Sequence, residues 1–383
     1  MAEAAMAWET WQATVGGRLW PAAARDGMDR TAASAVDPAA VPGVRVVRSA
    51  GRQGAPLWWV RSAADCERET VLWGRALANV GVRPQDRVLV ATGHPDWDRA
   101  VLEGVAASGA KGMAANGVLG QSGLDPYRPF RPTVLVTQPR MALALARAGQ
   151  LSGLGRLVLW GDIGRGVVEA RKDLLPPELA VAEVYALTEH PGPLAVECPA
   201  GRLHWLAEGV ALEWMDPWRR EPAAEGRIAE VWVTDLTARA LPLYRYRTGD
   251  LVELPKEPCP CGAEGWSTSR LRGRLAQTRW LGRRPVLPAV LAESVLASPG
   301  IGEWEVAFRW DRSRGRDLLE VTLAVEPGHD PDAVQQAVQA RAEEVTGWLT
   351  VRVEVVAPAA VPFHSRFQFY DRRPVGGAAA RGA

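Results

Sequence analysis

From Val44 onward the hydrophobic and polar positions alternate between two periods. Short apolar runs at Arg45–Arg48, Trp58–Val60, Arg87–Ala91, Thr133–Thr137, Leu157–Trp160 and Ala182–Tyr185 read as strands. Between them lie segments with the helical period. One opens at Ser62, with Asp65 three residues on, and closes at Gly81; others cover Asp96–Ala107, Pro139–Ala148 and Arg165–Leu174. Short apolar strands alternating with helices predict an α/β fold with a mostly parallel, helix-covered sheet. After Tyr185 the rhythm changes. Leu194–Glu197, His204–Leu206, Val210–Trp214 and Ala229–Asp235 read as strands joined by turns, which predicts a second, more antiparallel lobe.

A polar stretch with proline, cysteine and glycine, Pro255–Gly265, precedes a strand at Arg270–Arg274. From Pro288 the pattern predicts a small α+β unit. It has helices at Ala289–Leu296 and Asp332–Val345 and strands at Trp304–Trp310, Leu318–Val325 and Thr350–Val356. The expected organisation is a peripheral segment (1–43), a large N-terminal domain (44–274), a small mobile C-terminal domain (275–375) and a disordered tail (376–383).

Charge narrows the function. Lys+Arg is 45 and Asp+Glu is 44 in 383 residues, a balance that gives no reason to expect nucleic acid or a membrane surface as partner. Only Lys111, Lys172 and Lys256 are lysines; every other basic residue is arginine. No apolar run reaches the length of a membrane span, and the start, MAEAAMAWETWQ, has acids and no basic leader region. Four cysteines in this length do not make a disulfide scaffold, and the expectation is a cytoplasmic protein.

The most informative segment is Leu241–Leu251, LPLYRYRTGDL, which places Asp250 at a glycine turn where a carboxylate can accept from a ribose diol. Upstream lies Val184–Glu189, VYALTE, followed by a His-Pro-Gly turn; downstream come CPCG and RLRGR. This ordered set, with Tyr127–Ala146, resembles the phenylacetate-CoA ligase family of adenylate-forming enzymes. The resemblance implies that a carboxylic acid, aromatic or other, reacts with ATP to give an acyl-adenylate, from which coenzyme A displaces AMP. By motif, Tyr185 would pack on the adenine or the acid, Thr188 would contact phosphate, and Glu189 would hold Mg²⁺. Asp250 would bind the ribose, with Arg247 beside it, and Gly161–Asp162 would line the nucleotide pocket.

Three departures weaken the catalytic expectation. The phosphate loop keeps Gly51, Gly54 and Pro56, but Arg52, Gln53 and Ala55 replace its hydroxyl pair and lysine. The hinge, Gly273-Arg274-Leu275-Ala276-Gln277, lacks the acidic pair. Arg366 stands where the family's C-terminal lysine is, and a planar guanidinium does not mimic a point-charge ammonium. The resemblance therefore implies either a slow ligase or a non-catalytic paralogue. The paralogue would bind a nucleotide or acyl-CoA as a homodimer or as the partner subunit of an active copy.

Cys198, His204, Cys259 and Cys261 form a C-x5-H…C-x-C set, soft donors that suit a structural Zn²⁺, while Cys66 reads as a buried helix residue. His94 and His190, each beside a proline, read as structural turn histidines, and the tryptophan pairs as packing. Arg270, Arg272 and Arg274 share one strand face, which either approaches a nucleotide phosphate or coenzyme A or is solvated.

Overall fold

The computed structural model describes residue 37 and residues 39–49, 57–115, 119, 122–206, 209–235, 237–281, 284–347, 350–361, 367 and 369–373. Gly51, Gly54, Arg366 and the 376–383 tail lie outside the described residues.

A hairpin of β1 (Arg45–Arg48) and β2 (Trp58–Arg61) leads into α1 (Ala63–Asn79). The expected cap of α1 is present: the Asp65 amide donates to Ser62 Oγ (3.1 Å), and the Ser62 amide donates to Asp65 Oδ2 (2.9 Å). Gly81, with φ of +91°, ends the helix in the left-handed region. There follow β3 (Arg87–Ala91), α2 (Pro95–Ala107), β4 (Lys111–Ala114), β5 (Val134–Thr137), α3 (Pro139–Arg147), β6 (Arg156–Trp160), α4 (Arg165–Glu169) and β7 (Ala180–Ala186). Then come β8 (Pro193–Glu197), β9 (Leu203–Trp205), β10 (Ala211–Met215), β11 (Ile228–Asp235), β12 (Leu243–Glu253), β13 (Ser267–Thr268), β14 (Gly273–Arg274), β15 (Arg279–Leu281) and β16 (Arg284–Val286). The last part holds α5 (Pro288–Leu296), β17 (Ile301–Asp311), β18 (Arg316–Val325), α6 (Pro331–Thr346), β19 (Thr350–Val355) and β20 (Phe369–Asp371).

The large sheet has eight strands in the order β13-β9-β8-β7-β6-β5-β3-β4. Strands β3 to β7 run parallel, as the alternating pattern predicts. Side chains alternate across it: Val88 and Val90 join Trp73, Trp97 and Val101 of α1 and α2, while Leu89 and Ala91 join the core on the α3 and α4 side. Two expectations are corrected. Strands β8 and β9, assigned from the sequence to the second lobe, continue the large sheet, β8 antiparallel to β7 and β9 antiparallel to β8. All five residues of β8 are buried, because both faces are covered: Val196 joins the core with Trp73 of α1, and Leu194 and Ala195 join the core with Val231 and Tyr246 of the second lobe. The second lobe is thus the four-stranded antiparallel sheet β10-β11-β12-β14. The helix expected over Arg165–Leu174 breaks after Glu169, because Arg171 turns inward with φ −116° and ψ 41°.

That inward turn serves the joint with the C-terminal sheet, β19-β18-β17-β20. Arg171 Nη1 donates to the Ile301 carbonyl (2.9 Å) and its Nη2 to Glu326 Oε2 (3.0 Å). Arg147 meets Glu303 (2.9 Å) and Glu326 (2.8 Å), and Arg140 pairs with Glu303. Apolar packing is continuous through the same region, with Leu135 and Leu157 of the large sheet in one cluster with Leu291, Val306 and Leu319. Among the described residues, no helix is long and apolar enough to cross a membrane.

Candidate active site

One pocket opens at the carboxyl ends of β3, β5, β6 and β7, where ligands bind open α/β sheets. Gly93 and His94 follow β3, Gln138 follows β5, Gly161 and Asp162 follow β6, and Leu187, Thr188 and Glu189 follow β7. Asp250 of β12 and Gly273, Arg274 and Gln277 close it from the second lobe. Thus Tyr185, Gly161, Asp162, Thr188, Glu189 and Asp250, spread over ninety residues of sequence, come together. Trp97 and Trp160, ring centroids 4.6 Å apart, give the pocket an aromatic wall, and His94 lines it as well.

Asp250 is the best-fixed group. The Tyr185 hydroxyl donates to Oδ2 (2.8 Å), and Arg274 Nε lies 3.0 Å from Oδ1. The Asp250 amide donates to Thr248 Oγ1 (3.0 Å), which donates in turn to the Val231 carbonyl (2.8 Å). Burial pushes the Tyr185 phenol well above its ordinary value, and the Asp250 charge adds to the rise. The same carboxylate raises Arg274, so the guanidinium keeps its charge. A carboxylate offers about four acceptor positions, so an orienting partner on each oxygen does not exclude a ribose hydroxyl.

The β7 loop is gripped from beneath. Buried Arg61, at the end of β2, donates through Nη2 to the Thr188 carbonyl (2.6 Å) and the His190 carbonyl (2.7 Å). Glu189 Oε1 accepts from the Tyr246 hydroxyl (2.6 Å). His190 is structural, as expected: Nδ1 lies 2.9 Å from the Gly192 carbonyl and Nε2 lies 3.3 Å from Asp235 Oδ2. Burial alone would raise Asp235, but the His190 contact and Arg68, 2.7 Å away, hold it below the usual carboxylate range.

Arg247 does not join the pocket. Tyr246, Thr248 and Asp250 occupy the buried face of β12, and Arg245 and Arg247 point the other way. Arg247 pairs with Glu230 (3.2 Å) and stacks on Trp232 (5.4 Å), so its expected place beside the nucleotide is corrected by strand alternation. The TGD turn is also not a strand end. Gly249, with φ of +72°, sits within β12, which continues to Glu253. Of the arginine face read from the sequence as nucleotide-facing or solvated, Arg274 lines the pocket; Arg61 and Tyr246 are additions to the site, and the alternation of Tyr246 with Asp250 is the signal for the second.

Asp162 links the pocket to the C-terminal chain, since its Oδ1 accepts from the Ile163 amide (3.0 Å) and its Oδ2 from the Phe367 amide (2.9 Å). Behind the pocket, Glu183 accepts from the Arg165 amide (3.0 Å), and burial together with the charge of Glu197 pushes its carboxyl up to about 8. Away from the pocket, Cys198, His204, Cys259 and Cys261 converge with their ligand atoms all within 4.8 Å of one another. Cys66 lies apart from them, on α1.

No family model matches the chain. The phenylacetate-coenzyme A ligase of Thermus thermophilus is 26% identical over 347 residues, covering 83% of this chain and 78% of the relative. That of Escherichia coli is 28% identical over 239 residues, covering 57% and 53%. Over most of its length the chain is thus similar to phenylacetate-CoA ligases. Among solved structures, a 2-hydroxyisobutyryl-CoA ligase in the postadenylation state superposes with TM-score 0.78 at 17% identity, over 97% of this chain and 89% of that one. The same ligase in its thioesterification state gives a TM-score of 0.59 at 18% identity, over 98% and 90%. The α/β fold is thus common to this chain and that ligase.

Proposed function

We propose that this protein is an adenylate-forming acid–CoA ligase whose nucleotide lies in the pocket at Asp250. The single observation that carries the reading is the convergence on Asp250 of Tyr185 (2.8 Å) and Arg274 (3.0 Å) beside Thr188 and Glu189. In this reading Asp250 accepts the ribose hydroxyls, Tyr185 and Gly161–Asp162 flank the adenine, and Thr188 donates to phosphate. Trp97 and Trp160 offer an apolar wall suited to an aromatic or other apolar acid. Glu189 fits Mg²⁺: it is a buried oxygen donor, fixed through one oxygen by Tyr246, with carboxylate lone pairs to spare. The bound ion supplies charge neutralisation for the phosphates.

The chemistry balances in two steps. A carboxylate oxygen of the acid attacks the α-phosphorus of ATP, and the bond to the bridging oxygen breaks to release pyrophosphate. The thiolate of coenzyme A then attacks the acyl carbon, and AMP leaves. Arg366 takes the position of the family lysine in this reading. A guanidinium there and a hinge without carboxylates predict a slow first step, since one preorganised donor accounts for about 3–4 kcal/mol.

The same substitutions favour one second reading, a non-catalytic nucleotide- or acyl-CoA-binding paralogue that works as a homodimer or as partner of an active ligase. Calorimetric titration with MgATP, run with Asp250→Ala alongside, tests the pocket, and pyrophosphate release with acid present separates the two readings. Binding lost in the variant together with slow release supports the ligase; binding without release supports the paralogue; no binding to the native protein overturns the ligase and leaves of the paralogue only its acyl-CoA-binding form.

A further inference from the structure

The geometry points to a closed structural zinc site made by Cys198, His204, Cys259 and Cys261, which fastens the β8–β9 hairpin to the 255–265 segment. Three of the chain's four cysteines meet one histidine, from two regions more than fifty residues apart in sequence, with ligand atoms within 4.8 Å of one another. Cys198 Sγ lies 3.6 Å from Cys259 Sγ, and Cys261 Sγ lies 3.3 Å from His204 Nε2. A tetrahedral ion with Zn–S of about 2.3 Å and Zn–N of about 2.0 Å requires edges near 3.5–3.8 Å, which these separations approach. A disulfide requires about 2 Å between sulfurs.

Local backbone prepares the donors. The Cys198 amide donates to the Arg202 carbonyl and the Gly201 amide to the Cys198 carbonyl (both 2.9 Å), a tight turn that brings Cys198 and His204 to one side. On the facing segment the Gly262 amide donates to the Cys259 carbonyl (3.2 Å), with φ of +74° at Gly262, and the Ala263 amide donates to Cys261 Sγ (3.5 Å). An amide aimed at a sulfur stabilises a metal-bound thiolate. Three thiolates and an imidazole select zinc over the hard divalent ions, and four protein ligands leave no position for substrate. None of the four lines the active pocket, so the role is structural. As three zinc–sulfur bonds form, each thiol gives its proton to solvent.

Residues 257–265 are largely exposed, with no apolar side chain to anchor them; the Arg202 contact to the Glu257 carbonyl (2.6 Å) is a polar tie across the same gap. Immediately downstream, β13 joins β9 and β14 delivers Arg274 to Asp250, so the metal would hold the path from the large sheet to the pocket.

The test uses the full chain purified with its thiols reduced and zinc supplied. Metal analysis is expected to give about one zinc per chain, and X-ray absorption a first shell of three sulfurs and one nitrogen. Thiol labelling of the native protein should reach Cys66 alone, and chelation should expose the other three. Cys259→Ser should lose the metal. Should that variant fail to fold, cobalt substitution of the native chain still decides, because a thiolate-rich tetrahedral site gives intense visible bands and sulfur-to-metal charge transfer. Protein that stays zinc-free with all thiols titratable, a Cys198–Cys259 disulfide seen by mass, or weak octahedral cobalt bands would each overturn the site.

Discussion

The Asp250 pocket and the joint beneath the C-terminal sheet are built from the same materials, arginines against carboxylates, yet they are finished differently. In the pocket Asp250 accepts from Tyr185 and faces Arg274, and the group lines a cavity. In the joint the arginines are shared among several acceptors. Arg171 reaches Asp173, Glu326 and the Ile301 carbonyl, and Arg147 reaches Glu303, Glu326 and the Gly302 carbonyl. A charge that borders a cavity can meet a ligand; one enclosed between packed elements can only hold its neighbours.

The strongest way to break this comparison is Asp250→Ala. It removes the partner of Arg274 and the proposed ribose acceptor; nucleotide affinity should fall on the order of 100-fold, about 2.7 kcal/mol, in a calorimetric titration. Unchanged affinity would refute the ribose role. Arg171→Met attacks the joint instead. It leaves Glu326 and the Ile301 carbonyl with Arg147 alone and should lower unfolding stability by about 3 kcal/mol in urea, with faster hydrogen exchange in α5 and β17. A midpoint that does not move would show that the joint is not held by charge.

A third measurement exploits the pH dependence of Glu183. Its folded carboxyl titrates near 8, far above an ordinary glutamate, so between about pH 4.5 and 8 the folded state binds more protons than the unfolded chain. Stability should therefore fall as pH rises through that window, by roughly 1 kcal/mol per pH unit. Glu183→Gln should remove that slope while keeping an acceptor for the Arg165 amide, and a native protein with no such slope would refute the assignment. The smallest effect belongs to Arg247→Gln, on the far face of β12: MgATP affinity should stay within about two-fold of the native protein, and a larger loss would place Arg247 in the site after all.

Much of this was legible in sequence. The alternating periods gave the parallel sheet, and Ser62 with Asp65 gave the helix start. The motif residues Tyr185, Thr188, Glu189, Asp250 and Gly161–Asp162 meet in one pocket. What escaped depended on tertiary partners. Strand β4, Lys-Gly-Met-Ala, has little strand propensity and exists because β3 offers it a ladder. The break after Glu169 exists because Arg171 finds its acceptors in a strand 130 residues away. Arg247 was misplaced because a motif read as a string of letters ignores the period of two that sends neighbouring side chains to opposite faces. The partnership of Arg274 with Asp250 follows from the pairing of β12 with β14, which residue spacing does not disclose.

Arg61 holds the β7 loop through the carbonyls of residues 188 and 190, not through their side chains. Every amino acid carries that carbonyl, so the tether is indifferent to which side chains the loop presents. In evolutionary terms the shape of the loop is inherited separately from its chemistry. Positions 188 to 190 can drift, and a lineage can trade one ligand preference for another, while the scaffold that aims them persists. A replacement at Arg61 enjoys no such latitude, for it would disturb every residue the loop displays at once.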